Sequence, residues 1–270
     1  MVQTPLLLIE KNSLVQLQAV LPRVLAGQVT QAQMMSVCAL YRRIGIARLF
    51  LSGLPDGFFV EISRSARAFL FFLQRTDDTA KTTSRSEPFF DAIVCGDTEA
   101  EREIARGSRA TWNPGEEYED DFLYLRILME RFTLALPTAQ LQARLDRYAA
   151  FLGSREDPRL DVCRALAAAD AALFEEALGR LLDARTRELR KRIEAERLSP
   201  DDVTTTAHLS VEVLALLRLA ERAGLTPDEH YPLAPSVARR LHRARLPHPD
   251  AWRQFLTEAP GLPGAPRRTS

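Results

Sequence analysis

The sequence lacks the residue patterns on which most catalytic and metal sites depend. Its four histidines, His208, His230, His242 and His248, form no pair at metal-ligand spacing, and no cysteine or carboxylate stands at ligand spacing beside them. The glycine-rich turns that bind phosphate and the serine elbow of hydrolases are also missing. The sequence therefore predicts no metal, no cofactor and no catalytic residue, although residues distant in sequence can still assemble a site in space.

Cysteine and long apolar runs are scarce as well. Cys38, Cys95 and Cys163 are odd in number, far apart and set in apolar runs, whereas disulfide scaffolds use even sets and zinc sites use close pairs. No uncharged stretch approaches the roughly 20 residues that a bilayer requires. The segment MVQTPLLLIEKNS lacks the basic start and the long apolar run of a signal peptide. We expect buried free thiols in a cytoplasmic protein with no membrane partner.

Charge of one sign is not in excess. The chain has 36 basic and 36 acidic residues, so its formal net charge is zero, and it lacks the overall field that attracts a polyanion. The most basic segment, residues 185–197, interleaves its arginines with Glu188, Glu194 and Glu196. Mixed signs three and four residues apart are typical of an exposed helix with ion pairs along its surface. We therefore expect no nucleic-acid partner.

What the sequence does contain is helical periodicity. Apolar residues recur at three- and four-residue spacing in most long segments, and no segment alternates apolar and polar residues as a half-buried strand does. The clearest stripes run over residues 34–44, 122–132, 141–152 and 209–220. We predict an all-α fold, an irregular, repeat-like array of antiparallel helical hairpins, with one domain over residues 1–256 and a frayed tail over 257–270. Residues 57–60 alone allow a short extended stretch.

Capping residues mark the helix boundaries. Asp97 and Asp170 each follow a run of small residues and precede an amphipathic segment, so both are predicted to be N-caps within a repeated hairpin-like unit. Ser199-Pro200 and Thr226-Pro227 share the signature of a helix start, a capping residue followed by proline. Two segments between helices are predicted to be exposed loops, residues 76–87 and 107–115.

One charged cluster exceeds what a helix start requires. Five carboxylates fall within residues 116–121, broken only by Tyr118. Acidic residues in a first turn favour the helix dipole, which explains part of the run, but clustered like charges repel and also occur on partner-binding surfaces. Both interpretations stay open. Under the second, the candidate partner-binding residues are Trp112, Glu116, Glu117, Tyr118, Glu119, Asp120 and Asp121.

Several segments resemble one known family. The densest similarity covers residues 88–97, Trp112 and residues 117–124, and residues 165–178 are similar to the family's second half. Over about residues 30–240 the sequence resembles the immunity protein 49 family, bacterial antidotes encoded beside secreted polymorphic toxins. The resemblance implies an all-α, non-enzymatic protein whose partner is a cognate protein toxin, neutralised by direct binding.

Two other classes of function are compatible with the same helices, and the oligomeric state is open in all three. One is a helical scaffold or regulatory protein of the tetratricopeptide-like type. The other is a small-molecule-binding helical enzyme with a pocket between helices. A toxin gene beside this one would favour the immunity protein, whereas a ligand retained through purification would favour the enzyme.

Overall fold

The computed structural model describes residues 5–239 and 245–253. Within these ranges the chain forms eleven α-helices, four short 3-10 turns and no β-strand, so the all-α prediction is confirmed. In chain order the helices are α1 (Pro5–Leu25), α2 (Gln31–Ser52), α3 (Asp56–Leu73), α4 (Pro88–Cys95), α5 (Thr98–Gly107), α6 (Glu119–Phe132), α7 (Thr138–Leu152), α8 (Pro158–Ala168), α9 (Ala171–Glu194), α10 (Pro200–Thr204) and α11 (Val211–Arg222). The tail predicted over 257–270 lies outside the described residues, and the division into one domain and a tail stays a prediction.

Local capping explains several helix boundaries. Thr30 forms a capping box at the start of α2, because its hydroxyl accepts from the backbone N–H of Gln33 while the Gln33 side chain accepts from the N–H of Thr30. Asp97 accepts from a backbone N–H in the first turn of α5, and Asp170 does the same for α9. Both predicted N-caps are confirmed. The two capped helices differ in length, with 10 residues in α5 and 24 in α9, and the repeat-like arrangement stays a prediction.

The most extensively packed helix is α3. It is buried on most sides and packs against α2, α4 and α5, with Phe58, Phe59 and Phe69 fully buried. One continuous core also joins α1 to α2, α4 to α11, α6 to α7 and α8 to α9. The extended stretch predicted over residues 57–60 is wrong, because these residues belong to α3. Phe58, Phe59 and Val60 form an apolar run too short to tell a strand from part of a buried helix.

The second half of residues 76–87 folds back against the helices, whereas residues 77–80 are exposed. Two short 3-10 turns shape the segment, and Thr83 and Ser86 are fully buried. Gln31 on α2 holds it, since the Gln31 side-chain amide donates to the carbonyl oxygen of Thr82 and accepts from its N–H, both at 2.8 Å. The prediction of an exposed loop holds for residues 77–80 and is wrong for Thr82, Thr83 and Ser86. Its buried backbone groups are satisfied by a residue far away in sequence, which composition does not reveal.

The second half of α9 carries the basic segment and is mostly exposed, as predicted. The prediction that ion pairs run along the surface of this segment is wrong. Among the described residues, Arg185 is the member of this segment that forms an ion pair, and its partner is Glu212 on α11. Exposed charges gain little from pairing in water, so nothing forces the neighbouring side chains together.

The three cysteines are free and buried, as predicted. Burial raises the pKa of the Cys38 thiol to about 12 and also raises the pKa of Cys95 and Cys163, so none is a reactive thiolate. Within the described ranges, no group of three His, Cys, Asp or Glu side chains is placed to hold a metal ion. None of the described helices combines the length and the apolarity needed to cross a membrane.

Candidate partner-binding site

The predicted partner-binding residues lie in the connection between α5 and α6 and in the first turn of α6. Most of them border a surface groove of about 730 Å³, which we call the acidic groove. Its lining residues are Ser84, Arg85, Glu87, Trp112, Gly115, Glu116, Glu117, Tyr118, Glu119, Asp121 and Phe151. The structure thus brings six of the seven predicted residues together, and Asp120 lies outside the lining.

Glu117 holds the connection together from inside. Its side chain is buried, at 9% exposure. One carboxylate oxygen accepts from the backbone N–H of Ser84 at 2.7 Å and the other from that of Asn113 at 3.1 Å. The indole N–H of Trp112 donates to the carbonyl oxygen of Glu117 at 3.0 Å. Hydrogen bonds to an ionised carboxylate are among the stronger ones in proteins, so Glu117 shapes the groove and does not reach out from it.

Arginines from two later helices pair with the acids in the first turn of α6. Arg147 on α7 pairs with Glu119 at 2.6 Å. Arg159 on α8 pairs with Asp121 at 2.5 Å and with Asp120 at 3.7 Å. These pairs relieve the repulsion between neighbouring carboxylates, and the same acids stabilise the N-terminal end of the α6 dipole. The helix-start interpretation therefore accounts for these three acids.

Arg159 is positioned by a wider network. Its guanidinium pairs with Asp157 at 2.8 Å, and the hydroxyl of Tyr148 donates to the same carboxylate at 2.7 Å. Burial alone would raise the pKa of Asp157, but the hydrogen bonds and charge of Arg159 hold that pKa below its usual value. The guanidinium also lies 5.3 Å from the ring centroid of Tyr124. This network fixes the start of α6 against α8.

The acidic groove keeps an exposed face. Tyr118 is 78% exposed and Phe151, on α7, is 37% exposed, and the side chains of Glu116 and Arg85 are exposed as well. Aromatic rings in the centre of a contact patch, with charged groups around them, are typical of protein interfaces. A partner that covers these rings removes apolar surface from water, which favours association.

Sequence reasoning missed Arg85 and Phe151. Phe151 did carry a signal, because the buried stripe of α7 is complete without it and it extends the apolar surface beyond that stripe. Arg85 carried none. It stands in the Thr- and Ser-rich segment before α4, which has no periodicity that would place a side chain on a particular surface.

The acidic groove therefore presents exposed aromatic rings among carboxylates on the surface of an all-α fold. Comparison with protein families identifies the group of proteins to which the chain belongs. The family model described as immunity protein 49 matches residues 27–238, and the chain belongs to this family. The matched region contains every residue of the acidic groove. No curated protein and no solved structure significantly matches the chain.

Proposed function

We propose that this protein is a bacterial immunity protein that neutralises a cognate secreted toxin by direct binding, acts in the cytoplasm and catalyses no reaction. Membership of the immunity protein 49 family supports the toxin as partner. The observation that carries the proposal at the level of residues is the acidic groove. Tyr118 and Phe151 line it with exposed aromatic rings, and Glu116 lines it with an exposed carboxylate.

The groove divides its residues into contacts and supports. Tyr118 and Phe151 are the aromatic side chains that a partner would bury. Glu116 is the exposed carboxylate that would attract a positive charge on the partner. Glu119 and Asp121 line the groove but are paired with Arg147 and Arg159. Trp112, Glu117 and Asp120 hold the shape. Of the seven residues predicted from the sequence to bind the partner, Glu116 and Tyr118 therefore remain as direct contacts.

The charge of the groove specifies the partner surface. The five acids at residues 116–121 outnumber the three arginines around the groove, Arg85, Arg147 and Arg159, so the negative sign persists. A toxin surface rich in Lys and Arg would be attracted to it over several ångströms, which speeds association at low salt. We therefore propose a basic patch on the toxin as the matching surface.

The test measures affinity for the toxin encoded by the adjacent gene. We expect Tyr118→Ser and Phe151→Ser each to weaken binding about 30-fold, the effect of losing a hot-spot side chain worth about 2 kcal/mol. Glu116→Gln should slow association and make the affinity less dependent on salt, with an effect of about threefold. Isothermal titration calorimetry at low and moderate salt gives the affinities, and stopped-flow mixing gives the association rate.

The matched control is Phe50→Ser. Phe50 is also 37% exposed, lies on α2 and does not line the groove, so its replacement should leave toxin binding unchanged. Wild-type affinity in both Tyr118→Ser and Phe151→Ser, at unchanged melting temperature, would show that the toxin binds elsewhere. A wild-type protein that neither binds nor inhibits the adjacent-gene toxin would remove the proposed function itself.

A further inference from the structure

One arginine lines the acidic groove on a firmly held backbone. Arg85 ends the second short 3-10 turn, Thr83–Arg85, and its side chain is exposed. The carbonyl oxygen of Arg85 accepts from the side-chain amide of Gln31 on α2 at 3.0 Å. The N–H of the preceding residue, Ser84, donates to the buried carboxylate of Glu117 at 2.7 Å. The backbone of Arg85 is therefore already fixed at the groove, and a partner would not have to order it on binding.

The guanidinium of Arg85 has no ion-pair partner in the described ranges of the chain, although five acids line the same groove. Three of these acids are bonded within the protein, namely Glu117, Glu119 and Asp121. Glu87 is half-buried, which leaves Glu116 as the exposed acid of the lining. Among the described residues, the side chain of Glu116 likewise has no ion-pair partner.

The groove thus presents two exposed charges of opposite sign, Arg85 and Glu116. A guanidinium carries five N–H donors in a planar fork, and this fork matches a carboxylate through two parallel hydrogen bonds. A partner surface that offered cations alone would satisfy Glu116 but would place like charge against Arg85, which lowers affinity. The surface that fits both residues carries a carboxylate among its basic side chains.

We propose that Arg85 determines the specificity of the acidic groove by pairing with a carboxylate of the toxin, set within the basic patch that faces Glu116. Because the toxin is its partner, this role of Arg85 rests on the proposed function. It adds a requirement to that function, since the groove then selects a surface that carries both signs of charge at fixed positions. A protein that is merely basic does not meet this requirement.

The other role open to an arginine at this position is to moderate the negative charge of the groove. The two roles predict opposite results when the cation is removed. Loss of a moderating cation would speed the association of a basic partner and tighten its binding. Loss of a pairing cation would leave a carboxylate of the toxin without its partner, so dissociation would be faster and binding weaker.

The test compares wild type, Arg85→Gln and Arg85→Lys for binding to the toxin encoded by the adjacent gene. We expect Arg85→Gln to weaken binding about tenfold or more, mainly through faster dissociation. Arg85→Lys keeps the charge but lacks the planar fork, so it should recover part of that loss. Surface plasmon resonance gives the rates, isothermal titration calorimetry gives the affinities, and the melting temperature of each variant should equal that of wild type.

A probe that carries only cations separates pairing from a damaged groove. Poly-L-lysine offers no side-chain carboxylate to Arg85, so Arg85→Gln should bind it about threefold more tightly than wild type does. The expected effects on the toxin and on poly-L-lysine therefore have opposite signs. Weaker binding of both by Arg85→Gln would show that the substitution disturbs the groove itself, and it would overturn the pairing role.

A double-mutant cycle identifies the carboxylate on the toxin. Each Asp and Glu of the toxin is replaced in turn by its amide, and its affinity is measured with wild type and with Arg85→Gln. One replacement should weaken binding to wild type about tenfold and leave binding to Arg85→Gln unchanged, because the pair is already lost there. A toxin in which no acid is coupled to Arg85 would contradict the proposal.

The matched control is Arg23→Gln, which removes the same charge from an exposed side chain. Arg23 lies on α1, ahead of the residues that the family model matches, so toxin binding should stay within twofold of wild type. Equal or tighter toxin binding by Arg85→Gln, with binding weakened in Tyr118→Ser, would overturn the role of Arg85 and leave the proposed function standing. A wild-type protein that does not bind the toxin would remove both.

Discussion

The junction from α4 to α5 and the junction from α8 to α9 share one local geometry. In each, a residue in the left-handed region ends the first helix and an aspartate caps the second. The backbone N–H of Asp97 donates to the carbonyl of Ala92, and that of Asp170 donates to Ala165, both at 3.0 Å. Each aspartate side chain then accepts from the N–H three residues later, again at 3.0 Å.

The surroundings of the two junctions differ. Asp97 is 5% exposed and receives two hydrogen bonds from Arg67 on α3, at 2.6 and 2.7 Å, whereas Asp170 is exposed. The left-handed residue is Gly96 in the first junction and Ala169 in the second. The same short sequence pattern therefore forms one junction in the core and one at the surface. The capping aspartates of the two junctions should contribute differently to the free energy of unfolding.

The largest difference is expected from replacing the two aspartates. Asp97→Ala should lower the free energy of unfolding by about 2–4 kcal/mol, because it removes the cap and leaves the mostly buried Arg67 without its main partner. Glu99 still contacts Arg67 at 2.8 Å, which keeps the loss at the lower end for a buried pair. Asp170→Ala should cost about 1 kcal/mol, the value of the cap alone. Urea unfolding followed by circular dichroism measures both, and equal losses would show that Arg67 adds nothing to the first junction.

The next difference comes from Gly96. Its φ is +75°, a conformation in which a Cβ meets the following carbonyl oxygen, so Gly96→Ala should destabilise the protein by about 1–2 kcal/mol. The same unfolding experiment applies. A stability equal to wild type would mean that the turn relaxes to another conformation when a side chain is added.

The smallest effect has the opposite sign. Ala169 has a φ of +52°, so Ala169→Gly should relieve strain and stabilise the protein by about 0.5–1 kcal/mol after the added entropy of the unfolded chain is deducted. Ala168→Gly is the matched control, since Ala168 is the neighbouring exposed residue in the last turn of α8. That control should lose about 0.5–1 kcal/mol. A loss in both variants would contradict the assignment of strain to position 169.

The two junctions also show how far sequence reasoning reaches. Helix starts were predicted correctly where the capping side chain bonds to the backbone a few residues away. Examples are both aspartate caps and Ser199-Pro200, which starts α10. The same signature at Thr226-Pro227 is followed by no helix, so that prediction is wrong. A cap lowers the free energy of a helix that packing already favours, and residues 227–234 have no apolar stripe to pack.

The candidate site shows the same limit. The acidic run located the groove, because five carboxylates in residues 116–121 are visible without any fold. Their partners were not visible, since Arg147 is 28 residues from Glu119 and Arg159 is 38 residues from Asp121. The chain folding brings these charges together, and it decides which acids are neutralised and which face solvent. Glu117 illustrates the point, because its sequence position resembles that of exposed Glu116 while its side chain is buried.

The two tryptophans of the chain occupy contrasting places. Trp252 is buried with its ring centroid 4.9 Å from that of Phe71, and Trp112 lines the acidic groove with its N–H bonded to the carbonyl of Glu117. Indole emission changes with the polarity around the ring. The molecule therefore carries its own optical reporter at the groove, and a Trp252→Phe variant would isolate that signal, so that partner association can be followed in real time without an attached dye.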